Sequence, residues 1–388
     1  MRQLLFPLLL SSLLLLTGCS LPQVKAEARI FLNLALDYLG EYSLASTQFE
    51  ATSVGGISGI TYDRQRDRIY ALADDRQRPR FYTLALTLDQ TDPDQPLINQ
   101  ITVEAVTFLQ DPQGQPYPAD QLDPEGIALT PQGTLFISSE GVAWTNSPPA
   151  LLEFDLTGQW QQQLPLPKQY LAIPPTPEQP DPPPHGVDDN RGLESLAIGP
   201  EGDRIFTALE APLVQDYAKP ANQNTDSPDP PRQDFNRFLH YWVGEPQPLV
   251  IAEYLYPIDP TSLLGINGLT ELLALDSSGH FLALERAYSP LTKLSANLFQ
   301  IATASATDTS TLDRLPAQLK GILPIQKQPL LDFKTLKIEI TNLEGMTWGP
   351  ILADGRRSLL IVGDNNFSEG QSTQFLLFGL RQLRQKVS

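Results

Sequence analysis

The sequence predicts an all-β chain, a β-propeller of four-stranded blades, from three observations. One hairpin pattern occurs five times at intervals of about seventy residues. Further β-type runs follow its copies, which makes about four strands per repeat. The fifth repeat leaves no room for a fourth strand, while residues 29–44, RIFLNLALDYLGEYSL, form a spare run at the other terminus. That amino-terminal run is expected to close the ring.

The clearest copy is 123–141, DPEGIALTPQGTLFISSEG, two alternating apolar runs about a Pro-Gln-Gly turn. Glu125 stands before the first run and Glu140 after the second, so folding sets two carboxylates face to face. Opposed like charges destabilise a strand pair, and such a pair calls for a cation or for chemistry. Residues 190–210 repeat the layout with Glu194 and Glu210, 266–286 with Glu271 and Glu285, and 342–366 with Glu344 and Asp364. The first copy, 56–75, carries Ser58 in place of the leading acid but ends on Asp74 and Asp75.

Runs at 80–88, 100–109, 150–156, 161–166, 238–243, 248–256, 297–303 and 372–380 are read as the remaining strands. Residues 304–340 are ambiguous, and a small sheet there would make six blades instead of five. The Pro-rich stretches 173–186 and 219–234 are insertions, expected as surface loops or lids because they could not bury their backbone polar groups. In a propeller all five hairpins point one way, and their acids are expected to converge on one face near the axis.

The chain has 388 residues, 41% of them hydrophobic, 36 prolines and a net charge of -18. That charge argues against nucleic acid, whose backbone binding needs Lys and Arg to replace counterions; it favours cations. Arg2, the apolar run 4–16 and Leu16-Thr17-Gly18-Cys19 resemble the lipobox of a bacterial lipoprotein signal peptide. The resemblance implies a signal peptide at 1–18, lipidation of Cys19, a tether over 19–28 and the propeller domain over 29–388. The protein would then be extracytoplasmic and lipid-anchored to a bacterial membrane, on the periplasmic side or the cell surface. Cys19 is the only cysteine, which excludes an internal disulfide and a catalytic thiol. A monomer is expected.

Asp74, Asp75, Asp123, Glu125, Glu140, Glu194, Glu210, Glu271, Glu285, Glu344 and Asp364 are too many acids for Arg191 and Arg286 to neutralise. Hard oxygen donors in irregular number suit calcium. Zinc is disfavoured, since the only histidines are His185, His240 and His280 and no paired-ligand motif occurs. Neither Ser58 nor Ser138-Ser139 sits in a nucleophile elbow, which leaves metal-activated water. Glu125, Glu194, Glu271 and Glu344 would be ligands or proton acceptors, with Arg191 and Arg286 on phosphate.

The motifs DPEGIAL, NRGLESLAI, ALER and NLEGMTWGP with VGDNNF are similar to those of the phytase-like family, also called esterase-like activity of phytase. The likeness runs from Gly55 to Leu380. It implies a β-propeller phosphoesterase related in style to calcium-dependent phytases, acting on a small phosphoester. Carried over residue by residue, it points to Glu125, Asn190, Arg191, Glu194, Glu285, Arg286, Asn342, Glu344, Asp364, Asn365 and Asn366, with Asn190 and Asn342 beside the arginines and Asn365 among the metal ligands. Ser195 departs from a frequent glycine and Ser58 from an acid. A lactonase or arylesterase propeller with calcium or zinc, and a non-catalytic calcium-binding surface propeller, are the alternative readings.

Overall fold

Each hairpin continues into a four-stranded antiparallel sheet, and five such sheets form the structure, a computed structural model that describes residues 30–383 apart from 93–96, 178, 218–233, 245, 261–264 and 369. The calls on residues 1–28, Cys19 included, and on the insertion 219–233 lie outside the described residues. Leu34–Ala45 (β1) opens the chain and a small hairpin follows, Thr47–Phe49 (β2) with Thr52–Val54 (β3). Blade one is Ile57–Asp63 (β4), Arg68–Ala73 (β5), Arg80–Asp89 (β6) and Leu97–Phe108 (β7). Blade two is Pro124–Leu129 (β8), Thr134–Ser139 (β9), Ala150–Asp155 (β10) and Trp160–Leu164 (β11). Blade three is Leu193–Ile198 (β12), Arg204–Leu209 (β13), Phe235–Trp242 (β14) and Leu249–Pro257 (β15). Blade four is Ile266–Ala274 (β16), His280–Ser289 (β17), Lys293–Ala302 (β18) and Gln326–Asp332 (β19). Blade five is Asn342–Ile351 (β20), Arg357–Asp364 (β21) and Ser372–Gln382 (β22), completed by β1, which pairs with β22 from Leu34↔Gln382 to Ala45↔Ser372.

The first strand of each blade is innermost: β4 lies against β8, β8 against β12, β12 against β16, β16 against β20, and β20 against β4. Side chains on the strands beside them alternate between the two neighbouring blades, because successive residues of a strand face opposite sides. Ile69, Ala71 and Ala73 of β5 pack with Leu360 and Val362 of blade five, while Tyr70 and Leu72 pack with Ile127 and Leu135 of blade two. In β17, Phe281 and Ala283 face blade three and Leu282 and Leu284 face blade five. The ring is therefore held by five apolar seams, one per blade boundary.

The six-blade option is not realised among the described residues. Residues 304–340 supply only β19, an outer strand, and the stretch before it is a strap fastened to a buried ion network. Arg237 pairs with Asp216 at 2.8 Å and Glu253 at 2.7 Å and also donates to the Leu312 carbonyl, while Asp216 accepts from Leu315 N–H. Satisfied in this way, the strap's backbone needs no sheet partner. The described part of 173–186 has no strand or helix, as its proline content dictates.

The inner strands touch through their backbones. A Cβ on Gly126 would lie 2.6 Å from the Glu194 carbonyl oxygen on β12, and one on Gly59 would lie 2.8 Å from the Glu125 carbonyl oxygen on β8. Gly126→Ala is expected to push β8 from β12 and to cost about 1–3 kcal/mol, read as a lower urea midpoint at unchanged slope.

Candidate metal and active site

The registers place a β-bulge near the start of every inner strand. Pairing shifts between Ile57 and Gly59, Pro124 and Ile127, Leu193 and Ser195, Leu269 and Glu271, and Leu343 and Gly345. The bulged residues are Ser58, Glu125, Glu194, Thr270 and Glu344. A bulge turns one side chain away from the ladder, a device common beside active sites. On the neighbouring strands the matching positions are Asp74, Glu140, Glu210, Arg286 and Asp364: the first three come just after β5, β9 and β13 and are tied back by N–H bonds to the carbonyls of Gly56, Asp123 and Gly192, and the last two lie within β17 and β21, paired with Gly268 and Asn342.

This register corrects the fourth repeat. Glu271 lies one residue past its bulge and Glu285 one residue short of the ring position, so blade four contributes Thr270 and Arg286 where other blades contribute acids. The buried Glu271 carboxylate accepts N–H bonds from Leu196 at 3.1 Å and Leu272 at 2.8 Å. Glu285 takes Tyr256 Oη at 2.6 Å, Asn267 Nδ2 at 2.7 Å and Lys327 Nζ at 2.5 Å. Ser58 and Thr270 turn their hydroxyls to backbone carbonyls of the next blade, those of Glu125 at 2.8 Å and Leu343 at 3.3 Å.

Apart from Asp75, the other predicted acids lie close enough to act on one another. Oxygens of Asp74, Asp123 and Glu125 lie within 4.8 Å of one another. Burial first, then Asp123, pushes Asp74 up to about 7. Burial, with Asp123 and Glu210 behind it, pushes Glu140 up to about 8, although the Gly192 N–H bonds to it. Burial against the pull of Arg286 leaves Glu344 at about 8. Glu125 and Glu194 are held well above the ordinary carboxylate range, by burial and then by their acidic neighbours. Among the described residues, two carboxylate oxygens are buried without a hydrogen-bond partner, Asp123 Oδ2 and Asp364 Oδ1. A buried orphan acceptor beside two more carboxylates fits a hard cation, and the donor set is all oxygen.

Positive groups are sparse and committed. Arg286 meets Glu210 at 3.0 Å, Asn342 Oδ1 at 2.7 Å and Glu344 at 3.7 Å, while Asn342 Nδ2 donates to Glu344 at 2.6 Å. Arg191 lies 3.6 Å from Glu210 and bonds Tyr217 Oη at 3.3 Å. The Asn365 amide oxygen accepts from Gly56 N–H at 3.0 Å and Phe367 N–H at 3.1 Å, so it clasps its own loop; Asn366 follows in left-handed backbone. Asp75 pairs with Arg80.

Sequence reasoning missed two arginines. Arg76 joins Asp123 at 2.6 Å to Asn190 Oδ1 at 2.5 Å. Arg78 forms no ion pair among the described residues and donates to the Ala51 carbonyl. Both line an open cavity of about 620 Å³ with Asp74, Arg80, Asn190 and Phe367. The signal was the alternation Asp75-Arg76-Gln77-Arg78-Pro79-Arg80 at the end of the first hairpin, where the loop lands on the carboxylate face.

A family model described as Phytase-like, esterase-like activity of phytase, matches residues 52–367. The chain belongs to the phytase-like family. The matched span of this phytase-like chain contains every ring position named above. No curated protein matches it. Similar solved structures include an endo-arabinase from Bacteroides thetaiotaomicron, 11% identical over 86% of this chain and 96% of that one, at a TM-score of 0.38. A gluconolactonase from Xanthomonas campestris is 10% identical over 92% and 93%, at 0.34. A GH130-family structure, described as targeting β-1,2 mannosidic linkages in Candida mannan, is 9% identical over 88% and 94%, at 0.43. These likenesses carry nothing about substrate.

Carboxyls raised above their unfolded values favour the protonated fold: their contribution is full in acid and is lost as pH rises from about 4 through about 8. In chelator, the melting temperature of the phytase-like protein should fall by several degrees between pH 5 and 8, and calcium should raise it most at the alkaline end.

Proposed function

We propose that this phytase-like protein is a calcium-dependent phosphoesterase that hydrolyses small phosphomonoesters or phosphodiesters. The observation that carries the reading is the trio Asp74, Asp123 and Glu125, one of its oxygens buried and unpartnered, beside a cavity walled by Arg76 and Arg78. These three carboxylates, with Asp364 and Glu140 near them, would hold the ion. When bound, it neutralises the carboxylates and acidifies a coordinated water.

The chain's own groups supply the rest. Arg78, free of any acid partner among the described residues, offers a planar fork of donors to phosphoryl oxygens. Arg76, held by Asp123 and Asn190, adds a second guanidinium whose direction is fixed before substrate arrives. Glu344 and Glu194 also sit at the ring, and once a bound cation draws them into the ionised form their carboxylates would take up the proton that an attacking water gives up. Arg286 and Arg191 stand on Glu210, so they position that acid and add positive field to the ring.

Turnover of 4-nitrophenyl phosphate should vanish in chelator and return with calcium. Glu125→Gln should lower kcat by about 10²-fold or more, and Arg78→Ala should raise KM by about tenfold with a smaller change in kcat. A rise in melting temperature with calcium but no turnover at any loading would leave a non-catalytic calcium-binding propeller instead.

The reading includes an anchor at Cys19, placing the enzyme outside the cytoplasm. Palmitate fed to expressing bacteria should label the full chain, and Cys19→Ser should abolish the label.

A further inference from the structure

At the end of the central channel away from the carboxylates, the wall changes character. Two positions past each bulge stands an apolar residue, and all five line one cavity: Ile60, Ile127, Leu196, Leu272 and Met346. With the turns after β4, β8 and β12 they enclose about 450 Å³, a volume in the range of small-molecule sites. The nearby Glu271 carboxylate is taken up by backbone N–H groups and offers this space no free charge.

Two of the three arginines in the lining, Arg357 and Arg64, have no acid partner among the described residues. The Arg357 guanidinium lies 3.7 Å over the Trp348 ring, and its Nε is buried with no hydrogen-bond partner. Arg64, in the turn after β4, also lines the cavity, and neither arginine forms an ion pair among the described residues. Burial and the like charge of Arg64 push the Arg357 guanidinium below its ordinary value. The one carboxylate in the lining, Asp63, is already held by Arg66 at 2.7 Å and Tyr70 Oη at 3.3 Å. In a chain of net charge -18, the half-buried Arg357 guanidinium with exposed Arg64 near it offers an anion charge-assisted hydrogen bonds that no acid of the described residues takes up. Stacking on the indole fixes the plane of the Arg357 guanidinium, the geometry that receives a carboxylate through two parallel N–H bonds.

We propose that this end of the channel binds a small organic anion with an apolar body, of the class of medium-chain carboxylates, its head on Arg357 and Arg64 and its chain among the five apolar side chains. The site is separate from the carboxylate ring and does not depend on the phosphoesterase reading.

Calorimetry on the full, calcium-loaded chain with octanoate, acetate and 1-octanol tests it. Octanoate should bind with one-to-one stoichiometry, and acetate and octanol should each bind at least tenfold more weakly. Arg357→Gln should weaken octanoate about tenfold, Arg64→Gln by a smaller factor, and Arg357→Lys less than Arg357→Gln, while octanol binding stays unchanged and reports an intact cavity. Absence of octanoate binding at millimolar concentration, equal affinity for octanol, or an Arg357→Gln protein that binds octanoate as tightly as the parent would each overturn the proposal.

Discussion

Carboxylates stay beside one another only where the scaffold is harder to deform than their repulsion is strong. Here the scaffold is a closed wheel whose apolar seams leave no blade free to move outward. Relaxing the crowd at the hub would mean separating strands whose backbones already touch, as the Glu194 carbonyl touches Gly126. Close packing makes that separation costly. The hub can therefore carry an electrostatic strain that an open sheet would shed by splaying.

The wheel is nearly fivefold in backbone and deliberately uneven in charge. Blade four replaces an acid pair with Thr270 and Arg286, and blade one replaces its leading acid with Ser58. Negative charge is thus densest where blades one and two meet, at Asp74, Asp123 and Glu125, and is countered across the hub by Arg286. A symmetric ring would offer a cation several equivalent places. This one favours one side, which is also the side where the loop bearing Arg76 and Arg78 opens a cavity.

Much of this was legible in the residues. Acids at matched distances from a Gly-containing turn revealed the repeat, and the missing last strand of the fifth copy pointed to the amino terminus, as the pairing of β1 with β22 bears out. The bulge was not legible. An extra residue in one strand changes no composition and only shifts the count, so Glu271 and Glu285, each one position away, were aligned with the ring while Thr270 and Arg286 occupy it. Strand β19, QKQPLLD, was hidden for another reason: as an outer strand it is half solvent-facing and tolerates Pro329, so its alternation is faint. Arg76 and Arg78 lie in a loop, where pattern gives no direction to a side chain.

The seam between β1 and β22 also governs how the molecule is made. Because the last blade borrows its rim from the first residues of the domain, the nascent polypeptide is an unfinished arc until Ser372–Gln382 emerges. Premature termination before that segment would leave β21 and β1 as two bare edges at the ends of a horseshoe, each a template for pairing with another chain. Quality control of newly made chains would therefore see two kinds of product, closed rings and sticky fragments, with little between them.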